Sequence, residues 1–152
     1  MPMELNIKRI AEEEVDTLFG FITALAIHEG EDQFLTVTPE DLRNSGFGPN
    51  PKWSGFFAVF DGKPMGYATY THDFHLWSGR PRITLDDLFV VAECRGRGAG
   101  EALMRAVFEV ATETSAQVSW TVRPENKKAI SFYKGLGAKY REIGKCFWTP
   151  PI

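Results

Sequence analysis

Two clusters in this 152-residue chain combine residue types and spacings that can do chemistry. The first is Arg95-Gly96-Arg97-Gly98-Ala99-Gly100, set between the apolar run Phe89-Val90-Val91 and a helix-like pattern. Glycines at alternate positions let backbone turn tightly and let a ligand approach the main chain. The opening N–H groups of a helix have no intrahelical partner and lie at its positive end, so an anion such as phosphate can occupy them. Arg95 and Arg97 add positive charge. The second cluster is the adjacent acid pair Asp86-Asp87, which interrupts the strongly apolar stretch RITLDDLFVV. Neighbouring residues of a strand face opposite sides. The pair is therefore expected to divide its work, one acid facing a groove and the other bracing a loop or subunit contact.

Neither cluster names its ligand. A Walker loop needs Lys followed by Ser or Thr after the last glycine, and Glu101-Ala102 stand there. A dinucleotide fingerprint belongs to an early β-α unit with an acid about 20 residues on; this R-x-x-G-x-G cluster comes late in the chain. A glycine-rich helix entry with two solvated arginines is the plain alternative. For Asp86 three roles stand open: proton relay, structural acid, and electrostatic seat for a cation. Cys94 precedes the cluster without a His and a third group to activate it. His72 and His75, with Asp73, fall in a hairpin and are too scattered for a metal site.

These clusters need elements to hold them. LNIKRI, residues 5–10, alternates as an opening strand. Val15, Leu18, Phe19, Ile22, Leu25 and Ala26 repeat at helical spacing behind Glu12, Glu13 and Glu14, acids suited to a helix's positive end. Thr38-Pro39 reads as an N-cap and first helical position. GFFAVFDGKPMGYATYTHDF reads as two strands turning at Asp61-Gly62. RITLDDLFVV is a third strand, the 102–110 stripe a helix, AQVSWTVRP a strand, ENKKAISFYKGLG a short helix, and AKYREIGKCFW a last strand. This order predicts an α/β chain with a mixed, mostly antiparallel sheet flanked by helices. With no repeat and no long linker, residues 1–152 are expected to form one domain.

Composition narrows the class. Apolar residues make up 43% and aromatics 13%, which argues for a packed core. The formal net charge is -3, so no bulk attraction to nucleic acid is expected. Residues 1–48 hold 10 of the 20 acids and 3 of the 17 bases, a net of -7, while 49–152 net +4. A cationic partner suits the first part and an anionic one the second. Two cysteines do not make a secreted framework. No run approaches a membrane span, and the start turns acidic at once; a cytoplasmic protein is the economical expectation.

The R-x-x-G-x-G element after a strand resembles the pyrophosphate-binding motif of the GCN5-related N-acetyltransferases, the GNAT superfamily. The text from LAIHEG and DLRNSGFG through LDDLFVVAECRGRGAG to RPENKKAISFYKGLGAKY is similar to their diamine or polyamine (spermidine/spermine) branch, over roughly residues 5–148. The resemblance implies the GNAT fold, acetyl-CoA as cosubstrate, no metal, and direct acetyl transfer to a small primary amine, a polyamine or basic amino-acid analogue. It implies that Phe89, Val90, Val91 and Ala92 lie along the pantetheine, and that Arg95, Arg97, Gly98, Ala99 and Gly100 hold the pyrophosphate. Asn126 would approach the cofactor arm and Lys134 the adenosine phosphates. Tyr133 would protonate the departing thiolate, although ISFYKGLG also allows it a space-filling role. Glu29 matches a substrate-facing acid, and Asp86 stands where the branch typically has glutamate; with Asp87 they would form an acidic acceptor groove. The resemblance also implies a homodimer. Two other readings remain: an acetyltransferase for another amine, such as an aminoglycoside or peptide amino terminus, and a weakly catalytic acyl-CoA-binding regulator.

Overall fold

The computed structural model describes residues 4–152. Contacts group the chain into two compact units, Met1–Trp120 and Thr121–Ile152. In the first, five strands form one sheet in the order β1 (Leu5–Arg9), β2 (Trp53–Phe60), β3 (Lys63–His75), β4 (Arg80–Val90) and β5 (Gln117–Ser119). The first three pairings are antiparallel and β4 with β5 is parallel. The mixed, mostly antiparallel sheet expected from the element order is present.

Local chemistry accounts for the turns and helix ends. The β2–β3 hairpin turns at Asp61-Gly62, with φ of +49° and +81°, the positive pair that matches the twist of the flanking strands. Glu12–Glu14 form a short 3-10 turn that feeds helix α1 (Val15–His28). Helix α2 (Pro39–Gly46) begins with a reciprocal cap: Asp41 N–H donates to Thr38 Oγ1 at 3.1 Å, and Thr38 N–H donates to Asp41 Oδ2 at 2.9 Å. The backbone and hydroxyl donors hold the Asp41 carboxyl below its ordinary pKa.

The two sheet faces are covered by different helices. Ile10, Trp53, Phe57, Val59 and Tyr67 gather with Leu18 into one core, joined by Phe21, Ile22 and Leu25 from α1 and Leu42 from α2. The indole of Trp53 ties α2 down by donating to Leu42 O at 3.1 Å and to Ser45 Oγ at 3.1 Å. A Cβ at Gly46 would lie 2.4 Å from that indole, so only glycine fits beneath it. On the opposite face Ala58, Ala68, Tyr70, Ile83 and Leu85 are buried, and α3 (Ala99–Thr114) supplies Leu103, Met104, Val107 and Ala111 at helical spacing.

The second unit contains α4 (Lys127–Gly135), capped by Asn126, whose Oδ1 accepts from Ala129 N–H at 3.2 Å. Gly137, at φ +97°, turns the chain after the helix. Two strand expectations need correction. AQVSWTVRP is a strand only at Gln117–Ser119, and AKYREIGKCFW forms no strand at all. Alternation marks a segment that can pair, but a ladder needs a partner's N–H and C=O groups. From Lys139 to Ile152 nearly every residue is exposed instead.

Candidate active site

Strands β3 and β4 pair in register from Gly66↔Val90 to Thr69↔Asp87, and again from Tyr70↔Leu85 onward. One residue of β4, Asp86, is left over between these runs. It is a β-bulge, which bends the strand and re-aims side chains. Its consequence corrects the expectation that Asp86 and Asp87 face opposite sides. Tyr67, Thr69 and Thr71 alternate along β3 and so share one face. Tyr67 Oη donates to Asp87 Oδ2 at 3.1 Å, Thr69 also bonds Asp87, and Thr71 bonds Asp86. Both carboxyls therefore lie on the face that α1 and α2 cover, at the margin of the aromatic group Phe21, Tyr67 and Phe89.

Apolar surroundings and proximity make these acids unusual. Burial and then the neighbouring Asp87 charge push Asp86 up to about 6, against the Thr71 hydroxyl, which acts to lower it. Asp86 nonetheless keeps an exposed side, whereas Asp87 is half-buried. Burial raises Asp87 as well, opposed by the Tyr67 and Thr69 hydroxyls. The Tyr67 phenol is pushed far above its ordinary value by burial and by Asp87, so it remains a donor at working pH. A carboxylate that titrates close to neutrality is suited to accept a proton from an amine.

Beside this pair, β4 loses a neighbour. The β4–β5 ladder ends at Thr84↔Ser119, and among the described residues no strand pairs with that edge of β4 from Leu85 to Val90. Val91 N–H bonds back to Met65 O on β3 at 2.9 Å. By strand alternation the Leu88 and Val90 N–H groups then point toward the open edge. Val90 O on that edge accepts from Arg95 Nε at 3.0 Å, which anchors the loop that follows.

That loop enters α3 through two left-handed glycines, Gly96 at φ +76° and Gly98 at φ +86°. A Cβ added at either would meet nothing within 4 Å, so conformation, with open space above it, selects glycine here. The first helical bond runs from Ala102 N–H to Gly98 O at 3.0 Å. The N–H groups of Ala99, Gly100 and Glu101 have no intrahelical acceptor. Glu101 would repel an anion at this turn, but Arg105 holds its carboxylate at 3.0 Å. The cradle fits a pyrophosphate in donor type, charge and clearance.

Phe89, Val90, Val91 and Ala92 run directly into the cradle, and Arg97 is exposed within it. Glu29 is exposed at the C-terminal end of α1, where the helix dipole disfavours an acid. In the second unit, Asn126 caps α4, Lys134 lies 5.7 Å from the Tyr140 ring centroid, and burial raises the Tyr133 hydroxyl above its ordinary value. Asp73 pairs with Arg82 at 2.7 Å, His72 with Ser54 at 3.1 Å and His75 with Ser78 at 2.8 Å. Among the described residues no group of three or more His, Cys, Asp or Glu could hold a metal ion. The sequence reading overlooked Tyr67, Thr69 and Thr71. Their signal is the hydroxyl at every second position of YATYT in a strand that otherwise reads as buried.

Known proteins share this architecture. The profile of the Acetyltransferase (GNAT) family matches residues 21–138. A thialysine N-epsilon-acetyltransferase from Sus scrofa is 33% identical over 142 residues, covering 88% of this chain and 83% of that protein. A spermidine/spermine N(1)-acetyltransferase-like protein from Homo sapiens is 27% identical over 129 residues, 80% of this chain but 18% of its own. Among solved structures, an aminoglycoside acetyltransferase from an uncultured soil metagenomic sample superposes with a TM-score of 0.83 at 21% identity, covering 97% of each chain. With a family profile spanning most of its length and an extended relative above 30% identity, this chain belongs to the GNAT family of acetyltransferases.

Proposed function

We propose that the protein transfers an acetyl group from acetyl-CoA to a small cationic amine, a basic amino-acid analogue or a polyamine. The observation that carries this reading is the bulge that sets Asp86 and Asp87 on one face, next to an open strand edge that leads into an anion cradle. The thialysine-acetylating relative supports the basic amino-acid class.

Each residue then has a task. The α3 entry, through Arg97, Gly98, Ala99 and Gly100, holds the pyrophosphate, with Arg95 fixing the loop. Phe89 to Ala92 present backbone to the pantetheine, and Asn126 and Lys134 attend the cofactor arm and adenosine phosphates. Acetyl-CoA supplies the activated thioester. The Leu88 N–H donates to the carbonyl oxygen on which negative charge develops. Asp86 accepts the proton that the ammonium must lose before attack, while Glu29 and Asp87 attract the cation. Tyr133 donates a proton to the leaving sulfur; its raised pKa keeps that proton available.

The family profile spans residues from both compact units, which supports one acetyltransferase domain over 1–152. We place the protein in the cytoplasm as a homodimer. Exposed Phe74, Leu76 and Trp77 at the β3–β4 turn support a partner surface. No helix among the described residues is long and apolar enough to cross a membrane.

The test is free-CoA release across spermidine, spermine, putrescine, lysine analogues, aminoglycosides and short peptides, with product mass confirmed. Acetylated polyamine or lysine analogue is the expected product. Acetyl-CoA binding with no turnover on any amine would instead assign a binding-only role. Tyr133→Phe is expected to lower kcat by roughly 100-fold with acetyl-CoA affinity retained; wild-type turnover would remove the acid assignment.

A further inference from the structure

The two carboxyls on the bulge are not equivalent. Asp87 is half-buried and receives the Tyr67 and Thr69 hydroxyls, one of them from a tyrosine with no exposed surface. Asp86 projects from the extra residue of β4, keeps solvent access, and has one hydroxyl neighbour, Thr71. A charge locked by fixed donors is a poor proton shuttle, because protonation must give up those bonds. A charge open to water can take a proton and pass it on.

We propose that Tyr67 is a positioning residue of this acceptor site: its buried hydroxyl holds Asp87 as the fixed anion that seats the acceptor's ammonium, and thereby assigns proton acceptance to Asp86. The proposal rests on the amine-acetyltransferase reading above for its functional meaning. The division of labour itself is a property of the free protein. In the step concerned, an N–H bond of the ammonium breaks, its electron pair stays on nitrogen, and an O–H bond forms on Asp86. Asp86 then releases the proton to water.

The surroundings favour this assignment. From β3, Tyr67 and Thr69 act on Asp87 and Thr71 acts on Asp86, and within β4 the Asp87 charge acts on Asp86. From α1 the neighbour of this group is Phe21, which carries no charge. Two adjacent carboxylates resist ionising together, so whichever is better stabilised keeps its charge and the other takes the proton first. The Tyr67 hydroxyl tips that choice toward an ionised Asp87. The phenol sits on a fully buried side chain, and Asp87 is its hydrogen-bond acceptor.

The experiment is a carbon-13 NMR titration of the aspartate side-chain carboxyls in the free, full-length protein, without acetyl-CoA or amine. In the wild type Asp86 is expected to protonate before Asp87 as pH falls, with a midpoint near 6. Tyr67→Phe should reverse the order, with the Asp87 midpoint rising and that of Asp86 falling. Asp87→Asn, which keeps the core aromatic intact, should lower the Asp86 midpoint by removing the neighbouring charge, while burial, the larger cause, keeps it above the ordinary carboxylate range. Unchanged midpoints in Tyr67→Phe, or an Asp86 midpoint unmoved by Asp87→Asn, would overturn the proposal. A silent acceptor panel would sink the functional reading without moving these midpoints, so the two failures are distinguishable. With an active acceptor, Tyr67→Phe should raise its KM more than it lowers kcat; equal loss from global damage would not show that split.

Discussion

The α3 entry and the β4 bulge present two kinds of recognition within one unit. The entry is made of backbone: left-handed glycines, unpaired N–H groups and a helix end. The bulge is made of side chains, and the charge of Asp87 bears on the proton affinity of Asp86. A backbone cradle suits the constant part of a reaction, since every acetyl donor of this class carries the same pyrophosphate. A coupled carboxylate pair suits the variable part, because its charge and proton affinity change with one or two neighbouring hydroxyls. The first is robust to most side-chain changes and intolerant of a change in φ. The second is sensitive to each side chain within hydrogen-bond reach and depends on the register that makes the bulge.

That contrast can be broken by substitution. The largest effect is expected from Asp86→Asn, which should lower kcat with a cationic acceptor by roughly 100-fold while acetyl-CoA binding stays near wild type. The wild-type rate should rise with pH through about 6, as Asp86 ionises, and the variant should lose this limb. A rate limb that survives in Asp86→Asn would place the base elsewhere.

Gly98→Ala should act on the other region alone. Alanine at φ +86° is disfavoured by about 1–2 kcal/mol, so a relaxed loop should bind acetyl-CoA about tenfold more weakly, as read by calorimetry. The acceptor pH profile should remain in place. If that profile moves as well, the two regions are coupled and the contrast fails.

The smallest effect concerns stability. The Asp86 pKa is higher in the folded protein than in the unfolded chain, so the folded state binds this proton more tightly. Its contribution favours folding at pH 4 and is lost as pH rises through about 6. Because Asp86 retains solvent contact, screening reduces the size, and Asp86→Asn should stabilise the protein by about 1 kcal/mol at pH 8 relative to its effect at pH 4. Denaturant melts at the two pH values read this directly. A difference of the opposite sign would show that the carboxylate is stabilised by the fold.

The same contrast explains what could be read from the sequence. Gly96 and Gly98 announce the cradle because φ preference belongs to the residue itself, and the Ala102–Val110 stripe announces the helix that follows. Asp61-Gly62 and Thr38-Pro39 are likewise local signals and became a hairpin turn and a capped helix. Asp86-Asp87 was visible as an anomaly, yet its geometry was misread. Period-two alternation assumes an unbroken ladder, and a bulge is a property of two strands in register, which neither strand's pattern contains. The hydroxyls of Tyr67, Thr69 and Thr71 became meaningful only once that register placed them under the carboxyls. AKYREIGKCFW failed for the complementary reason: it alternates acceptably, but alternation does not supply the partner strand that a ladder requires.

Arg95, bonded to Val90 O, also bears on how this edge meets other chains. A bare strand edge is a template on which another chain can add a strand, the usual beginning of sheet-to-sheet aggregation. Here the last carbonyl of the open edge is already bonded, by a bulky guanidinium at 3.0 Å. A neighbouring strand would have to displace a cation to extend the ladder. The Val90 end of the β4 edge is thus guarded against an added strand by the chain's own arginine.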